Sequence, residues 1–414
     1  MSAQVLIVGA GQAGLQAAVS LRELGFKGEV TIVGEEEYSP YQRPPLSKAF
    51  LAGEADVESL EFRSADFYAA NEIKVVTAEK ITQVSIADGK GVAQGSTGNS
   101  YSFDRLVIAP GSTPRKLNLE GSDLDGVLYL RSIKDAEALK SRWTQAKNVV
   151  VVGGGFIGLE VAAQATKAGK KATVLEAAER LIARAVSPIT SEYLRAAHER
   201  RGTSVRLAAA IEGFEGLNGK VTGVRMADGE VIAADIVMVG IGVIARGELA
   251  EMLGLETANG AIVVNEFAET SNPMVLAAGD AVLLPHPLGH GNQVRLESVQ
   301  NAVDQAKVVA STIAGERLPY RAVPWFWSDQ ADIKLQIAGL SNGYDQTVVR
   351  GNPDEDKFSV LYYREGKLLA IDAVNDAPDY MAVRRALGAD AHIDAGAAAD
   401  SSVALKTLII SSDA

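Results

Sequence analysis

The sequence predicts an α/β protein with two similar strand–helix domains and a further C-terminal domain, and two observations lead to this prediction. A Gly-x-Gly-x-x-Gly motif occurs twice, at residues 9–14 and 153–158. Each copy follows a run of apolar residues, 5–8 and 149–152, that is typical of a buried parallel strand. A helical stretch containing Ala and Leu comes after each copy. This strand–glycine–helix context is the one that the motif requires.

The three glycines of each motif have different physical roles. The first permits a tight turn, the second lets backbone N–H groups approach a pyrophosphate, and the third allows close packing of helix on strand. The phosphate charge then lies at the positive end of the helix dipole. We therefore predict two dinucleotide sites in this chain. Their glycines are Gly9, Gly11, Gly14, Gly153, Gly155 and Gly158.

An acidic residue follows each motif at the end of the next predicted strand. Glu35 and Glu176 lie roughly twenty residues past the last glycine, where a carboxylate can accept hydrogen bonds from an adenosine ribose. The alternative is a solvated carboxylate at a strand end, but the repeated spacing favours ribose binding. Because Glu176 would repel a 2′-phosphate, we expect NAD rather than NADP at the second motif. Arg180 and Arg184, close downstream, would weaken that preference.

Length and charge narrow the class of protein. A chain of 414 residues is too long for one typical core and indicates two or three domains. The net charge of −12 argues against nucleic acid or an anionic membrane surface as the main partner. No apolar run has the length of a transmembrane helix, and no charged leader precedes the first predicted strand. We expect a cytoplasmic protein.

Cysteine is absent from the chain. The protein therefore cannot pass electrons through a redox-active thiol of its own, nor ligate an iron–sulfur cluster with its own thiolates. The chain has four histidines. Two of them, His286 and His290, share a loop rich in Pro and Gly, but no third ligand accompanies them at metal-binding spacing. We expect both at the surface, and no metal site.

Predicted strands and helices continue the first strand–helix domain after its glycine motif. A helix is predicted at 15–24 and a strand at 30–33, and the proline-rich segment 38–48 cannot be a regular helix or a central strand. A buried strand then runs into glycine within residues 104–111. The segment 235–242 ends the second domain in the same manner, which indicates a coarse internal repeat.

The last part of the chain changes character twice. After about residue 246 it is expected to return to the first domain, with a strand ending in a carboxylate at 275–280 and a helix at 297–314. From residue 323 the sequence becomes rich in turns and alternating residues, a pattern typical of antiparallel strands.

Several further motifs point to a known family. The specific ones are Arg-Pro-Pro-Leu-Ser-Lys at 43–48 and Pro-Trp-Phe-Trp-Ser-Asp-Gln at 324–330; Ala-Pro-Gly at 109–111, Ala-Gly-Asp at 278–280 and Glu-Ser at 297–298 accompany them. With these motifs the chain resembles, over essentially its whole length, the FAD-dependent, NADH-oxidising ferredoxin reductases of bacterial oxygenase systems. The resemblance is to reductases of the putidaredoxin reductase and biphenyl dioxygenase ferredoxin reductase type.

The resemblance implies a glutathione-reductase-like fold with two Rossmann-type dinucleotide-binding domains and a C-terminal α+β domain. The FAD-binding domain is expected at 1–115 and 246–322, the NAD-binding domain at 116–245, and the C-terminal domain at 323–414. The chain departs from the family pattern in two places. Ala245-Arg246 replaces a common Pro-Asn, which is expected to alter the hinge between domains, and Ala331 replaces a common aromatic residue near the flavin.

The activity that the resemblance implies is electron transfer from NADH to a two-iron, two-sulfur ferredoxin that supplies an oxygenase. A nicotinamide gives up two electrons as hydride, a ferredoxin accepts one at a time, and FAD connects the two. A monomer or weak dimer is expected. The alternatives are a rubredoxin or monodehydroascorbate reductase, which share the architecture, and an NADH-sensing flavoprotein.

Two charged residues are the catalytic candidates. Lys48 is expected near the reactive nitrogen of the flavin, where a cation stabilises the electron-rich reduced ring. Glu160 is expected in the first turns of the helix after the second motif. The resemblance implies an ion pair between these two residues beside the flavin. The alternative for each is a surface charge.

Other residues are expected to contact the cofactors. Asp280 would bond the ribityl hydroxyls, and the helix that begins near Ser298 and Val299 would point its N–H groups at the flavin pyrimidine. Arg131 either contacts FAD or caps its strand, and Phe156 either covers the flavin or packs at a helix start. The remaining FAD candidates are Arg43, Pro44, Ala109, Gly111 and Trp327, and the remaining NAD candidates are Ile157, Arg184 and Gly242.

An acidic ferredoxin would need a local basic patch on this acidic protein. The candidates are Arg295, Arg317, Arg321 and Lys334, although the sequence does not place them on one face.

Overall fold

The computed structural model describes residues 3–411, which form two compact units of three chain segments each. The first unit contains the chain up to Gln42, with Leu60–Thr113 and Ile244–Pro324. The second contains Arg43–Ser59, Pro114–Val243 and the chain from Trp325 onward.

A five-stranded parallel sheet forms the centre of the first unit. In sheet order its strands are Val275–Ala277, Arg105–Ile108, Gln4–Val8, Glu29–Val33 and Ile73–Val76. Most of their side chains are apolar and buried, as expected of parallel strands covered on both faces. Helix Gln12–Glu23 packs against helix Val299–Ala314. The chain therefore leaves the first sheet and returns to it.

Smaller elements complete the first unit. One antiparallel sheet consists of Ile81–Ala87, Lys90–Gly95 and Ser100–Phe103. Another sheet consists of Thr257–Ala258, Ala261–Val263, Val282–Pro285 and Gln293–Val294. The short helices are Ala65–Ala70, Glu248–Met252 and the 3₁₀ turn Pro287–Gly289.

The second unit contains a parallel sheet of the same design. In sheet order its strands are Ser204–Arg206, Lys171–Leu175, Asn148–Val152, Ile236–Val239 and Val127–Leu128. In the first unit, strand Gln4–Val8 before the glycine motif lies between Glu29–Val33 and Arg105–Ile108. In the second unit, strand Asn148–Val152 lies in the same way between Lys171–Leu175 and Ile236–Val239. This confirms the internal repeat. The helices are Ile133–Trp143, Phe156–Lys167 and Pro188–Arg200. A small antiparallel sheet consists of Ile211–Leu217, Lys220–Met226 and Val231–Ala233.

The last segment of the second unit forms a five-stranded antiparallel sheet, as the alternating sequence predicts. Its strands, in sheet order, are Trp325–Gln330, Ile333–Gly339, Lys367–Val374, Lys357–Arg364 and Gln346–Asn352. Helix Ala377–Gly388 packs on this sheet around the buried Leu361, Ile371 and Val383. The strands His392–Ile393 and Ile409–Ile410 pair beyond it.

Short elements account for the rest. They are the 3₁₀ turns Pro44–Ser47, Pro353–Glu355 and Leu405–Leu408, the helices Ala49–Ala52, Val57–Leu60 and Ala395–Ala398, and the strands Ser112–Pro114 and Val243–Ala245. Within residues 3–411, no helix is both long enough and apolar enough to cross a membrane.

Candidate active site

Both glycine loops require glycine at their first position. Gly9 and Gly153 have φ angles of +118° and +107°, which residues with a side chain rarely adopt. A Cβ atom on Gly9 would lie 2.0 Å from the carbonyl oxygen of Ala109, and one on Gly153 would lie 2.4 Å from that of Gly240. Any side chain here would push the loop away from the neighbouring strand.

The other two glycines of each loop differ in their surroundings. A Cβ atom on Gly14 or Gly158 would lie 1.9 or 2.2 Å from the carbonyl oxygen of the first glycine of its own motif, so the helix start packs tightly. A Cβ atom on Gly11 would meet nothing within 4 Å, and one on Gly155 only the Gly240 oxygen at 3.9 Å. The second position therefore leaves the backbone open, as contact with a pyrophosphate requires.

Helix capping distinguishes the two glycine-loop helices from the other long helices. The described residues contain six helices of more than ten residues, and four of these have a side-chain cap. Those caps are Ser132, Ser187, Ser298 and Asp376. The helices after Gly11 and Gly155 have no side-chain cap. Since the first N–H groups of a helix have no partners within the helix, these two helix starts fit the phosphates of a dinucleotide.

Glu176 lies against the second glycine loop. Its Oε2 atom accepts a hydrogen bond from the backbone N–H of Gly154 at 2.6 Å, and its Oε1 atom accepts one from that of Ala178 at 2.7 Å. The carboxylate is therefore held at the end of its strand, next to the loop that would bind phosphate. This location suits the predicted ribose contact.

Glu35 forms a bidentate ion pair with Arg246 within the first unit. The Nη2–Oε2 distance is 3.0 Å, and the Nη1–Oε1 contact completes the pair. Arg246 belongs to one of the two departures from the family pattern, and the sequence did not predict its contact with Glu35. The two residues are 211 positions apart, and no local pattern relates them.

The two arginines after Glu176 differ in what they contact. Arg180 donates from Nη1 to the carbonyl oxygen of Val186 at 2.7 Å and from Nη2 to that of Ala183 at 2.5 Å. These bonds tie its guanidinium to its own loop. Arg184 is exposed, and its Nη2 atom would lie 3.4 Å from a Cβ atom placed on Gly242.

The ion pair predicted between Lys48 and Glu160 is present in the second unit. The Lys48 Nζ atom lies 2.7 Å from Glu160 Oε2, with side-chain exposures of 19% and 5%. Ser47 Oγ also donates to Oε2 at 2.5 Å, and Ser328 Oγ donates to Oε1 at 2.7 Å. The alternative of two unrelated surface charges is therefore wrong. A buried carboxylate is stabilised here by one cation and two hydroxyls.

Neighbours of Lys48 contact one another within the same unit. Arg43 donates from Nη1 to the carbonyl oxygen of Arg131 at 2.6 Å, and Lys48 Nζ lies 3.4 Å from the carbonyl oxygen of Pro44. The backbone N–H of Arg131 donates to Asp135, which belongs to the capping box of helix Ile133–Trp143. The main chain of Arg131 thus supports a helix start.

Aromatic rings lie together at the start of the second glycine-loop helix. The Phe156 ring centroid lies 4.4 Å from that of Phe326, so packing at the helix start is what the structure shows for Phe156. Trp327 is half-buried, 5.6 Å from Trp325, which packs against the C-terminal core. Ile157, the next residue of the helix, is 41% exposed.

The remaining flavin candidates lie in the first unit. The Asp280 carboxylate accepts a hydrogen bond from Ser112 Oγ at 3.2 Å. Ser298 caps its helix by accepting from the backbone N–H of Asn301 at 3.0 Å, which leaves the amide of the half-buried Val299 at the helix start. Gly111 has a φ angle of +69°, and Ala109 is buried.

The surface location expected for His286 is wrong. This side chain is 6% exposed; its Nδ1 atom accepts from the N–H of Leu288, and its Nε2 atom faces the carbonyl oxygen of Ala322 at 3.0 Å. Burial lowers its pKa. His290 is exposed. Among residues 3–411, no group of three or more His, Asp or Glu side chains is placed to hold a metal ion.

Two family models match this chain, one over most of its length and one over its C-terminal part. Residues 3–306 match the pyridine nucleotide-disulphide oxidoreductase family, and residues 325–409 match the reductase C-terminal family. Rhodocoxin reductase of Rhodococcus erythropolis is 43% identical over 405 residues, which cover 98% of this chain and 94% of that protein. A rubredoxin–NAD(+) reductase of Pseudomonas putida is 41% identical, over 90% of this chain and 95% of that protein.

Solved structures of two reductases superpose on this chain over nearly its full length. The ferredoxin reductase for the CYP199A2 system from Rhodopseudomonas palustris has a TM-score of 0.94 at 40% identity, covering 98% of this chain and 99% of that one. Putidaredoxin reductase, in its covalent complex with putidaredoxin, has a TM-score of 0.94 at 37% identity, with 98% of each chain covered. This chain therefore belongs to the pyridine nucleotide-disulphide oxidoreductase family, as an FAD- and nicotinamide-dependent oxidoreductase of the ferredoxin reductase type.

Proposed function

We propose that this enzyme takes hydride from NADH and delivers single electrons to a two-iron, two-sulfur ferredoxin that supplies an oxygenase. One observation carries the proposal: two uncapped glycine-loop helices occur in a chain that has no cysteine. Two dinucleotides can bind, yet no thiol of this protein can receive the electrons. Bound FAD supplies the conversion of a two-electron donor into single electrons.

The two glycine loops have unequal roles in this proposal. The loop of residues 9–14, with Glu35, Asp280 and the helix after Ser298, holds a resident FAD. The loop of residues 153–158 receives NADH, and Glu176 bonds its adenosine ribose. Because the guanidinium of Arg180 is tied to its own loop, it offers little to a 2′-phosphate. This arrangement supports NADH over NADPH.

Lys48 and Glu160 are the proposed catalytic residues. Lys48 would supply a positive charge that stabilises the electron-rich reduced flavin, and Glu160 holds that charge in one location through the 2.7 Å ion pair. Arg43, Pro44, Arg131 and Trp327 of the same unit are further candidates for flavin contact, and Phe156, Ile157, Arg184 and Gly242 for nicotinamide contact.

The partner is proposed from charge. Arg295 pairs with Glu297, and Arg317 forms a bidentate pair with Glu269, so the charges of these two arginines are largely balanced. Arg321 and Lys334 are exposed. We assign these two the larger part in attracting an acidic ferredoxin.

The wider assignments also belong to this proposal. The proposed division is an FAD domain (1–115 and 246–322), an NAD domain (116–245) and a C-terminal domain (323–414), and the presence of a separate parallel sheet at each glycine motif supports the first two. We propose a cytoplasmic monomer or weak dimer with no membrane partner.

Turnover with different acceptors tests the proposed partner. The enzyme is supplied with NADH and, in separate assays, a two-iron ferredoxin, a rubredoxin and monodehydroascorbate. The ferredoxin should give the highest kcat/KM. Because one relative is a rubredoxin–NAD(+) reductase, rubredoxin is the second candidate, and faster turnover with it would replace the ferredoxin assignment. A reduced enzyme that transfers few electrons to any acceptor would indicate an NADH sensor.

A further inference from the structure

Within the second unit, buried polar side chains extend from the Lys48–Glu160 pair as one continuous hydrogen-bond chain. Ser328 Oγ lies 2.7 Å from Glu160 Oε1, and Gln330 Nε2 lies 3.2 Å from Ser328 Oγ. Gln330 Oε1 in turn lies 2.9 Å from His198 Nε2. All four residues, Glu160, Ser328, Gln330 and His198, are buried, so bulk water does not compete for these bonds.

One strand carries the two middle members of this chain. Ser328 and Gln330 are two residues apart on strand Trp325–Gln330 and therefore point to the same face. His198 comes from the last turn of helix Pro188–Arg200. The serine and the glutamine belong to the specific Pro-Trp-Phe-Trp-Ser-Asp-Gln motif, and the proposed function alone gives them no role.

The direction of the chain follows from what each group can donate or accept. An ionised carboxylate only accepts, so the hydroxyl hydrogen of Ser328 points to Glu160. The oxygen of Ser328 then accepts from the amide nitrogen of Gln330, which turns the amide oxygen toward His198. The Nε2 atom of His198 must therefore carry a hydrogen. Burial lowers the pKa of His198, so the neutral Nε2–H tautomer supplies this donor.

We propose that Ser328, Gln330 and His198 are positioning residues that fix the Glu160 carboxylate relative to Lys48. This inference rests on the proposed function, since it concerns the same hydride transfer. The bond from Ser328 occupies Oε1 and so leaves Oε2 to the Lys48 ammonium and the Ser47 hydroxyl. Gln330 and His198 keep the hydroxyl hydrogen of Ser328 from turning away.

Substitutions of residues in the hydrogen-bond chain distinguish an effect on the orientation of Glu160 from an effect on NADH binding. In Ser328→Ala the rate constant for flavin reduction by NADH should fall about tenfold, the effect of losing one hydrogen bond to a charged group. Ser328→Thr keeps the hydroxyl and should restore most of the rate. Gln330→Met has a similar length without polar atoms and should slow reduction about threefold, as an indirect contact. The NADH dissociation constant should stay near the wild-type value in all three.

A matched control tests whether losing any buried hydroxyl has the same effect. Ser359 is a 0% exposed serine on strand Lys357–Arg364 of the same sheet, outside the hydrogen-bond chain. Ser359→Ala should reduce its flavin at the wild-type rate. A rate loss equal to that of Ser328→Ala would overturn the proposal.

Nitrogen-15 NMR of the histidines in the holoenzyme gives a readout that is independent of electron transfer. The chain has four histidines, and His198→Gln assigns the signal of interest. His198 should be the Nε2–H tautomer in wild type and Ser359→Ala, and that preference should weaken in Gln330→Met.

The possible outcomes separate the two ideas. An Nδ1–H tautomer of His198 in the wild type would mean that the hydrogen bonds run in the opposite direction, and it would overturn the positioning proposal. An unchanged rate of flavin reduction in correctly folded Ser328→Ala would overturn it as well. If Ser328→Ala does not hold FAD, the rate of flavin reduction in Gln330→Met and the tautomer of His198 test the positioning proposal instead. Failure of NADH to reduce the wild-type flavin overturns the proposed function instead. The tautomer of His198 then still tests the direction of the hydrogen-bond chain.

Discussion

Glu160 and Lys48 differ in how much of each side chain water can reach. Glu160 is 5% exposed and cannot recover hydration if its cation is removed, whereas Lys48 is 19% exposed and can reach water. Removing one partner of a buried pair costs more than removing both. The two single variants should therefore have unequal effects on stability.

We expect Lys48→Met to lower the free energy of unfolding of the holoenzyme by about 3 kcal/mol, because it leaves a buried carboxylate without its cation. Glu160→Gln should cost less, and the double variant should be more stable than Lys48→Met alone. Urea unfolding of all three measures this. Lys167→Met is the control, since the Lys167–Glu54 pair is 61% exposed on both sides and its loss should change stability little. If the loss of unfolding free energy in the double variant equals the sum of the losses in the two single variants, the account is contradicted.

Glu176 gives a second prediction at this scale. Glu176→Gln keeps an acceptor for the glycine loop but removes the charge that would repel a 2′-phosphate. The ratio of kcat/KM for NADPH to that for NADH should rise about tenfold, measured by steady-state turnover with both nucleotides. Glu179→Gln removes an exposed carboxylate from the same loop and should leave the ratio unchanged. Equal ratios in the two variants would show that Glu176 does not select the nucleotide.

The sequence could not predict the residues that support Glu160. The glycine loops and Lys48 were found because local spacing or a short motif marks them. Ser328 and Glu160 are 168 positions apart, and Gln330 and His198 are 132 positions apart. Their contact depends on how a helix and a strand pack, which no local pattern encodes.

At the scale of elements, the strand–glycine–helix units were predictable because their geometry is local. The helix predicted at 15–24 is Gln12–Glu23, since the glycine loop itself forms the first turn. The strand predicted at 30–33 is Glu29–Val33. The burial of His286 was not predictable, because its acceptor, the carbonyl oxygen of Ala322, comes from a later loop.

One element contact adds a pH-dependent term to stability. Asp372, on strand Lys367–Val374, accepts hydrogen bonds from Tyr362 and from Thr190, near the start of helix Pro188–Arg200. Its other oxygen, Oδ1, has no hydrogen-bond partner among the described residues. Full burial raises the pKa of Asp372 from 3.8 to about 6. The folded protein therefore keeps this proton at pH values where the unfolded chain has lost it.

The sign of the effect follows from that difference. Stability contributed by Asp372 is present near pH 4 and is lost as the pH rises through about 6. The difference in unfolding free energy between wild type and Asp372→Asn should fall by about 2 kcal/mol from about pH 4 to pH 7. Chemical denaturation at several pH values measures it. Asp354→Asn, at an exposed position, should show no such trend; a pH-independent difference for Asp372→Asn would contradict the prediction.

At the scale of the whole molecule, FAD should stabilise the protein by binding only the folded state. Addition of FAD to the apoprotein at one hundred times its dissociation constant should add about 2.7 kcal/mol to the unfolding free energy. Riboflavin lacks the diphosphate and adenosine that the first glycine loop would bind, so it should stabilise far less. Equal stabilisation by both compounds would contradict the role assigned to that loop.

The direction of electron flow is the central claim, and anaerobic stopped-flow absorbance tests it most directly. Mixing the oxidised holoenzyme with NADH should bleach the flavin absorbance in one turnover. A second mixing with an oxidised two-iron ferredoxin should restore the flavin absorbance while the ferredoxin absorbance falls. If NADH leaves the flavin oxidised, or the reduced enzyme fails to reduce any iron–sulfur or rubredoxin acceptor, the account is wrong.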